Sequence, residues 1–294
     1  MTSFLAFPAK LQTLKGKRHK FWKQAQIVLK YVILILAVGL ALFPTLWMLS
    51  TSIKIPQQYF SNPPVWLPTQ PTVEHYFALF LNYEGGEHFK NSIIIAVAST
   101  FLTLTLSIPA AYAIARHNVG GDRFSFWILS QRMLPPVAAV IPLFLLYVRL
   151  RLIDTFTGII LAHTIFNIPF AVWILIGFFA DFPRDIQDQA LVDGCTEFES
   201  LWRIVLPIVL PGVVVVALFS FVFSWNEVMF ALTIGRTETR TITKLFESLL
   251  QSPTGVFFGP AAAAVVLGII PAYVLTLFFQ RYLVRGLTLG SVRG

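Results

Sequence analysis

The chain has 294 residues, 56% of them apolar and 12% charged, with a net charge of +8. An average soluble domain carries about 25% charged residues, so a water-soluble globule of this composition is excluded, and the apolar content excludes disorder. One cysteine, Cys195, excludes an internal disulfide and a cysteine-built metal site. Seven of the 22 basic residues (Lys10, Lys15, Lys17, Arg18, Lys20, Lys23 and Lys30) lie before or at the first apolar run. That distribution fixes membrane topology and argues against nucleic acid as a partner.

Six apolar runs approach the ~20 residues needed to cross a bilayer: Tyr31–Leu49, Ser92–Ala115, Phe124–Val148, Gly158–Phe179, Ile208–Leu232 and Pro260–Leu283. Lipid offers the backbone no hydrogen-bonding partner, so continuous runs of this kind predict helices, and the fold class is an all-α integral membrane protein. The first run starts too late and is too long for a cleaved leader. The predicted organisation is a basic tail over 1–30, a first span over 31–49, a proline-rich loop over 50–91, a five-helix core over 92–283 and a tail over 284–294. With the amino terminus in the cytoplasm, inside segments hold fifteen Lys and Arg and outside segments seven. Without the tail and Lys30 the split is eight to seven, so the tail decides, and both termini lie inside. The bilayer is thus the first expected partner.

Two spans carry breaks. Arg132-Met133-Leu134-Pro135-Pro136 breaks the third about two turns from its cytoplasmic end, with Arg132 snorkelling to that surface. Asn167-Ile168-Pro169 interrupts the fourth, and His163 one turn earlier is expected to hydrogen-bond between helices rather than to relay protons. The break at Pro169 reads either as a lining of the pathway or as a packing kink.

The inside loop over 180–207 differs in kind. Pro183 suits a first helical position. Ile186, Ala190 and Leu191 recur at helical spacing and predict a short amphipathic helix to about Asp193. Gly194 ends it. Thr196 followed by Glu199 is a capping box that opens a second helix, with Phe198, Leu201, Trp202 and Val205 on an apolar face. Pro207 and Pro211 mark the entry to the fifth span. Asp181, Asp185, Asp188, Asp193, Glu197 and Glu199 decorate this knob, which reads either as a docking element or as a solvated link.

This loop resembles the EAA loop of binding-protein-dependent ABC transporter permeases. Gly194, a nine-residue gap and Ile204-Val205-Leu206-Pro207 match that pattern, and Asp188-Gln189-Ala190 stands where the family has Glu-Ala-Ala. The tail from Gln280 to Gly294, Trp225-Asn226-Glu227 and the stretch Ala261–Leu267 resemble carbohydrate-uptake permeases similar to the second permease of the maltose transporter. The resemblance implies a six-span type I importer (MetI-like) architecture in a bacterial inner membrane, transporting a sugar, oligosaccharide or glycoside. It implies a second homologous permease, two ATP-binding subunits and an extracytoplasmic binding protein as partners. It also implies that Asp188, Gln189, Ala190, Asp193, Gly194, Leu206 and Pro207 couple to an ATPase, and that Leu287, Gly290 and Gly294 reach the interface between two ATPases.

In a sugar permease, Glu227 at the outer end of the fifth span reads either as a sugar contact, with Trp225, Asn226 and Asn167, or as a structural carboxylate. Ser252, Pro253, Thr254 and Gly255, at a turn in the outside loop 235–259, read either as a contact for the binding protein or as a plain connector. No phosphate-binding loop, H-E-x-x-H or G-x-S-x-G occurs, so no catalytic residue, metal site or cofactor is expected in this chain. The resemblance implies that partner ATPase subunits bind ATP and Mg. A polyamine or osmolyte permease is the alternative within the class. An ion-coupled carrier would need an internal repeat and paired mid-membrane ionisable groups; the halves show no repeat, and only Glu227 and His163 lie deep enough to matter. A scaffold or receptor subunit would not explain the glycine-and-proline loop.

Overall fold

The computed structural model describes residues 9–251 and 257–289, with side chains at 22–24, 26–251 and 257–282. Among the described residues twelve α-helices follow one another: α1 (Ala9–Thr51), α2 (Glu74–Leu81), α3 (Gly85–His117), α4 (Gly121–Ser130), α5 (Pro136–Arg149), α6 (Phe156–Ala180), α7 (Arg184–Val192), α8 (Glu197–Ser200), α9 (Leu206–Trp225), α10 (Met229–Thr233), α11 (Ile242–Leu250) and α12 (Phe258–Leu289). A π-helical turn, Leu201–Val205, joins α8 to α9 without a break. Among the described residues five segments are long and apolar enough to cross a membrane, and a bent pair makes a sixth if counted as one span.

α3, α6 and α9 form the centre. On α3 the residues Ala96, Ser99, Thr103, Ser107 and Ala111 recur every three or four positions and are fully buried. In lipid no hydrophobic force presses helices together, and a stripe of small side chains lets backbones approach. Ala162 and Ala171 of α6 are fully buried as well. On α9, a β-carbon at Gly212 would lie 2.4 Å from the Phe178 ring, so only glycine permits that approach to α6. The small residues leave room for Leu175, Phe179, Val205 and Val216 to fill the core.

α1 is a different object. Helical structure extends back through the basic tail to Ala9, giving 43 residues and a length of about 65 Å. Its membrane-length portion is unburied by the chain. Phe43 and Trp47 pack on Trp66 at its end, and the Lys54 ammonium lies 4.1 Å over the Trp47 ring. The 50–91 segment, read as a loop, contains α2 and the first two turns of α3. Tyr59 and Phe60 both pack on Phe258, so α1 ends where α12 begins.

Three spans depart from the sequence reading. The third is two helices, Gly121–Met133 and Pro136–Arg149, bent by 89°. Leu134 and Pro135 are extended, because a proline drives the residue before it out of the helical region. The break lies deeper than expected: Arg132 donates to the carbonyl of Phe166, in the middle third of α6, at 2.8 Å. Arg132 therefore does not snorkel to a surface. Conversely, α6 runs through Asn167-Ile168-Pro169 unbroken. Pro169 cannot close the ladder onto the preceding turn, and the Arg132 guanidinium binds a carbonyl of that turn. The fifth span stops at Trp225, and 229–233 form the separate helix α10.

Candidate functional site

At one end of the bundle the 181–205 segment forms a knob built from two local motifs. α7 begins at Arg184 with Pro183 as its N-cap, one position later than expected. It closes in a Schellman motif: Gly194 N–H donates to Leu191 O at 3.1 Å and Cys195 N–H to Ala190 O at 3.0 Å. Gly194 has φ 91°, and nothing lies within 4 Å of where its β-carbon would project. The backbone angle, not space, requires glycine there. The capping box is present: Glu199 N–H donates to Thr196 Oγ1 at 3.2 Å, and Thr196 N–H to Glu199 Oε2 at 3.0 Å.

The outward face of α7 presents Asp188 and Gln189, with Asp193 and Gly194 at its tip. Ala190 is buried on the bundle side. Leu206 is half-buried and Pro207 exposed at the start of α9. The expected apolar face of the second helix divides. Leu201 and Val205 enter the core, whereas Phe198 and Trp202 remain exposed, their rings 5.9 Å apart. The two i, i+4 pairs lie side by side around the helix, and only one fits against the bundle.

The knob is seated on the end of α3. Gln187 Nε2 donates to the Tyr112 hydroxyl, which donates to Glu197 Oε2 at 3.3 Å. His117 Nε2 lies 3.1 Å from the same oxygen. Arg116 donates to Phe182 O at 3.1 Å and covers the Phe182 ring. Sequence reasoning missed Tyr112, Arg116, His117 and Gln187. The basic pair Arg116-His117, ending a span that shares its membrane face with an acidic loop, was the available signal.

A cavity of about 570 Å³ opens where the break between α4 and α5 faces α6 and α9. It gathers Asn167, Asn226 and Glu227 of the expected pathway and adds Arg132 and His163. Trp225 belongs elsewhere. Its indole N–H donates to Gly268 O at 2.9 Å, and its ring stacks on Phe221 beside an apolar groove between α9, α11 and α12.

Asn167 is committed to packing. Its amide donates to Ser224 Oγ at 3.0 Å and Ser220 O at 3.3 Å, and Ser224 also receives the Ser99 hydroxyl at 2.9 Å. That node ties α3, α6 and α9 together. Asn226 donates to Val222 O, one turn back, at 2.9 Å. Glu227 holds the start of α10: its carboxylate accepts Phe230 N–H at 2.9 and 3.0 Å and Ala231 N–H at 3.2 Å. His163 does not make the expected hydrogen bond. Its Nε2 lies 3.4 Å from Glu227 Oε2, and neither ring nitrogen is hydrogen-bonded.

The opposite end is fastened by a residue the sequence did not flag. The Asp154 carboxylate accepts backbone N–H groups of Arg236, Thr237, Glu238 and Thr239 and the Thr239 hydroxyl, all between 2.8 and 3.1 Å. Burial raises its pKa, but the donors, led by Arg236 N–H, outweigh that and hold the carboxyl at about 2. Asn91 donates to the carbonyls of Glu238 and Arg240, and Lys244 to those of Gly235 and Arg236. Burial holds the Lys244 ammonium below the usual lysine range. The 235–259 loop is therefore a strapped turn followed by the amphipathic helix α11. Ser252, Pro253, Thr254 and Gly255 lie outside the described residues, as do Gly290 and Gly294. Leu287 lies on the described backbone of α12, without a described side chain.

A six-span path with a bent third member and a knob between the fourth and fifth defines a class of membrane permease. Residues 87–289 match the family described as binding-protein-dependent transport system inner membrane component, and the chain belongs to that family. The sulfoquinovosyl glycerol transport system permease protein of Agrobacterium fabrum is 33% identical over 254 residues, 86% of this chain and 89% of that protein. The trehalose transport system permease protein of Mycobacterium tuberculosis is 34% identical over 266 residues, 88% of this chain and 95% of that protein. A bacterial ABC transporter involved in the import of the acidic polysaccharide alginate contains a chain of the same fold. Its TM-score is 0.70 at 20% identity, covering 95% of this chain and 99% of that one.

Proposed function

We propose that this chain is one of two permeases in an ATP-driven importer of a sugar, oligosaccharide or glycoside. The knob carries this reading: two locally closed motifs present Asp188, Gln189 and Asp193 outward while Tyr112, Arg116 and His117 bind the inner face to α3. Such a seat transmits force. A push on α7 reaches α3, and through its small-residue stripe α6 and α9, whose far halves line the cavity. Rocking of packed spans by an external motor is the physical content of alternating access. The motor is a pair of ATP-binding subunits holding ATP and Mg, and this chain is non-catalytic. The knob, both termini and the tail with Leu287, Gly290 and Gly294 face the cytoplasm. The strapped loop and Ser252–Gly255 face an extracytoplasmic binding protein. Relatives named for sulfoquinovosyl glycerol and trehalose support a glycoside cargo over a polyamine or osmolyte.

Purification tests the proposal. The chain should bring down an ATPase whose turnover rises when a cargo-loaded binding protein is added. Ion-gradient-driven transport by this chain alone in vesicles would establish a secondary carrier instead.

A further inference from the structure

Arg132 stands at mid-depth of the bundle, level with Phe166, and no carboxylate among the described residues lies within ion-pair distance of it. Its guanidinium is held in place without being neutralised: one N–H goes to the Phe166 carbonyl, and its Cζ lies 4.5 Å from the Phe223 ring centroid. A guanidinium has five N–H donors in a planar fork, so the donors not given to Phe166 are left for a bidentate acceptor. The acid on the cavity wall is already engaged, since Glu227 is taken by Phe230 and Ala231 N–H groups and flanked by His163. His163 is 2% exposed and makes no hydrogen bond, yet it borders the cavity. A cation at this depth is costly and marks a pathway for something that pairs with it.

We propose that the cavity takes an acidic group on the cargo, a carboxylate or sulfonate of a glycoside, with Arg132 as the residue that reads it and His163 as an adjoining donor. The proposal rests on the reading of the chain as a glycoside permease and narrows its substrate class.

The test uses the assembled transporter, with its binding protein, in proteoliposomes. Methyl glucuronide and methyl glucoside differ only at C6, a carboxylate in one and a hydroxymethyl in the other, and digalacturonate and digalactose with the same linkage provide a larger acidic and neutral pair. Uptake of an acidic probe in preference to its neutral counterpart is expected. Arg132→Gln should lower acidic uptake at least tenfold while the complex still co-purifies, and Arg132→Lys should retain an intermediate rate. Preference for the neutral probes, uptake of none, or undiminished acidic uptake by Arg132→Gln overturns the proposal. Dissociation of the complex on Arg132→Gln also overturns it, because Arg132 would then pair with a partner subunit. Failure of a loaded binding protein to stimulate any ATPase would instead remove the permease reading itself.

Discussion

The two polar links at opposite ends of the bundle, 181–205 and 235–241, both join spans, yet their backbones are held by opposite means. The knob closes on itself: its Schellman bonds and capping box join residues at most five positions apart. Its backbone needs are met locally, so its outward side chains remain available. The other link closes on distant residues. Asp154, 82 to 85 positions away, absorbs four of its backbone N–H groups, and Asn91 takes two of its carbonyls. A link whose backbone closes locally keeps its shape when it is gripped, and its side-chain seat on α3 passes the push to the bundle. A link whose backbone is closed from outside takes its shape from the helices that bind it.

The largest expected effect tests the self-contained end. Gly194→Trp forces a β-carbon at φ 91° and removes the hinge of the Schellman motif. Recovery of the ATP-binding subunits should fall at least tenfold with membrane insertion unchanged, and undiminished recovery would break the comparison. Next is the bound end. Asp154→Asn leaves backbone donors without an acceptor, an expected loss on the order of 2–3 kcal/mol, read as a lower Tm and faster proteolysis within 235–241. The carboxyl titrates at about 2 against about 3.9 in an unfolded chain. A depressed folded pKa contributes stability that is complete above about pH 4 and lost as pH falls through about 2. Proteolysis of this loop should therefore be flat from about pH 8 to 5, and a rise within that window would remove the clamp.

Tyr112→Phe sharpens the comparison at the seat. It removes the acceptor of Gln187 and a donor to Glu197, so the knob should stay folded while ATPase stimulation by the binding protein drops several-fold. The smallest effect is Thr196→Ala, about 1 kcal/mol for a lost cap, measured as faster amide hydrogen exchange at 197–200.

What was legible in the sequence follows the same division. The spans showed as apolar runs. The knob's helix, its glycine stop and its capping box showed because each depends on neighbours in the chain. Asp154 gave no signal, since a lone aspartate in a short link acquires its meaning only when 236–239 arrive beside it. The depth of Arg132 was misjudged for a similar reason: counting from the end of a run assumes a straight helix, and an 89° bend invalidates the count. Pro169 was read as a break because its missing N–H is a local fact, while the arginine that binds the loosened turn comes from another span. Trp225 was grouped with Asn226 and Glu227 by adjacency, although α9 ends at Trp225 and the chain leaves the helix direction at the two residues that follow.

The broken third member has a consequence for the cell's energy supply. Each half, Gly121–Met133 and Pro136–Arg149, is about 20 Å long and falls short of the ~30 Å of hydrocarbon. The non-helical backbone between them persists at that depth only where protein or water reaches it. Water there is a stretch of proton conductor inside an insulating sheet. An import device built this way must shut one door before it opens the other, and a variant that loosens the bend would first show itself as a dissipated proton gradient, before any loss of uptake.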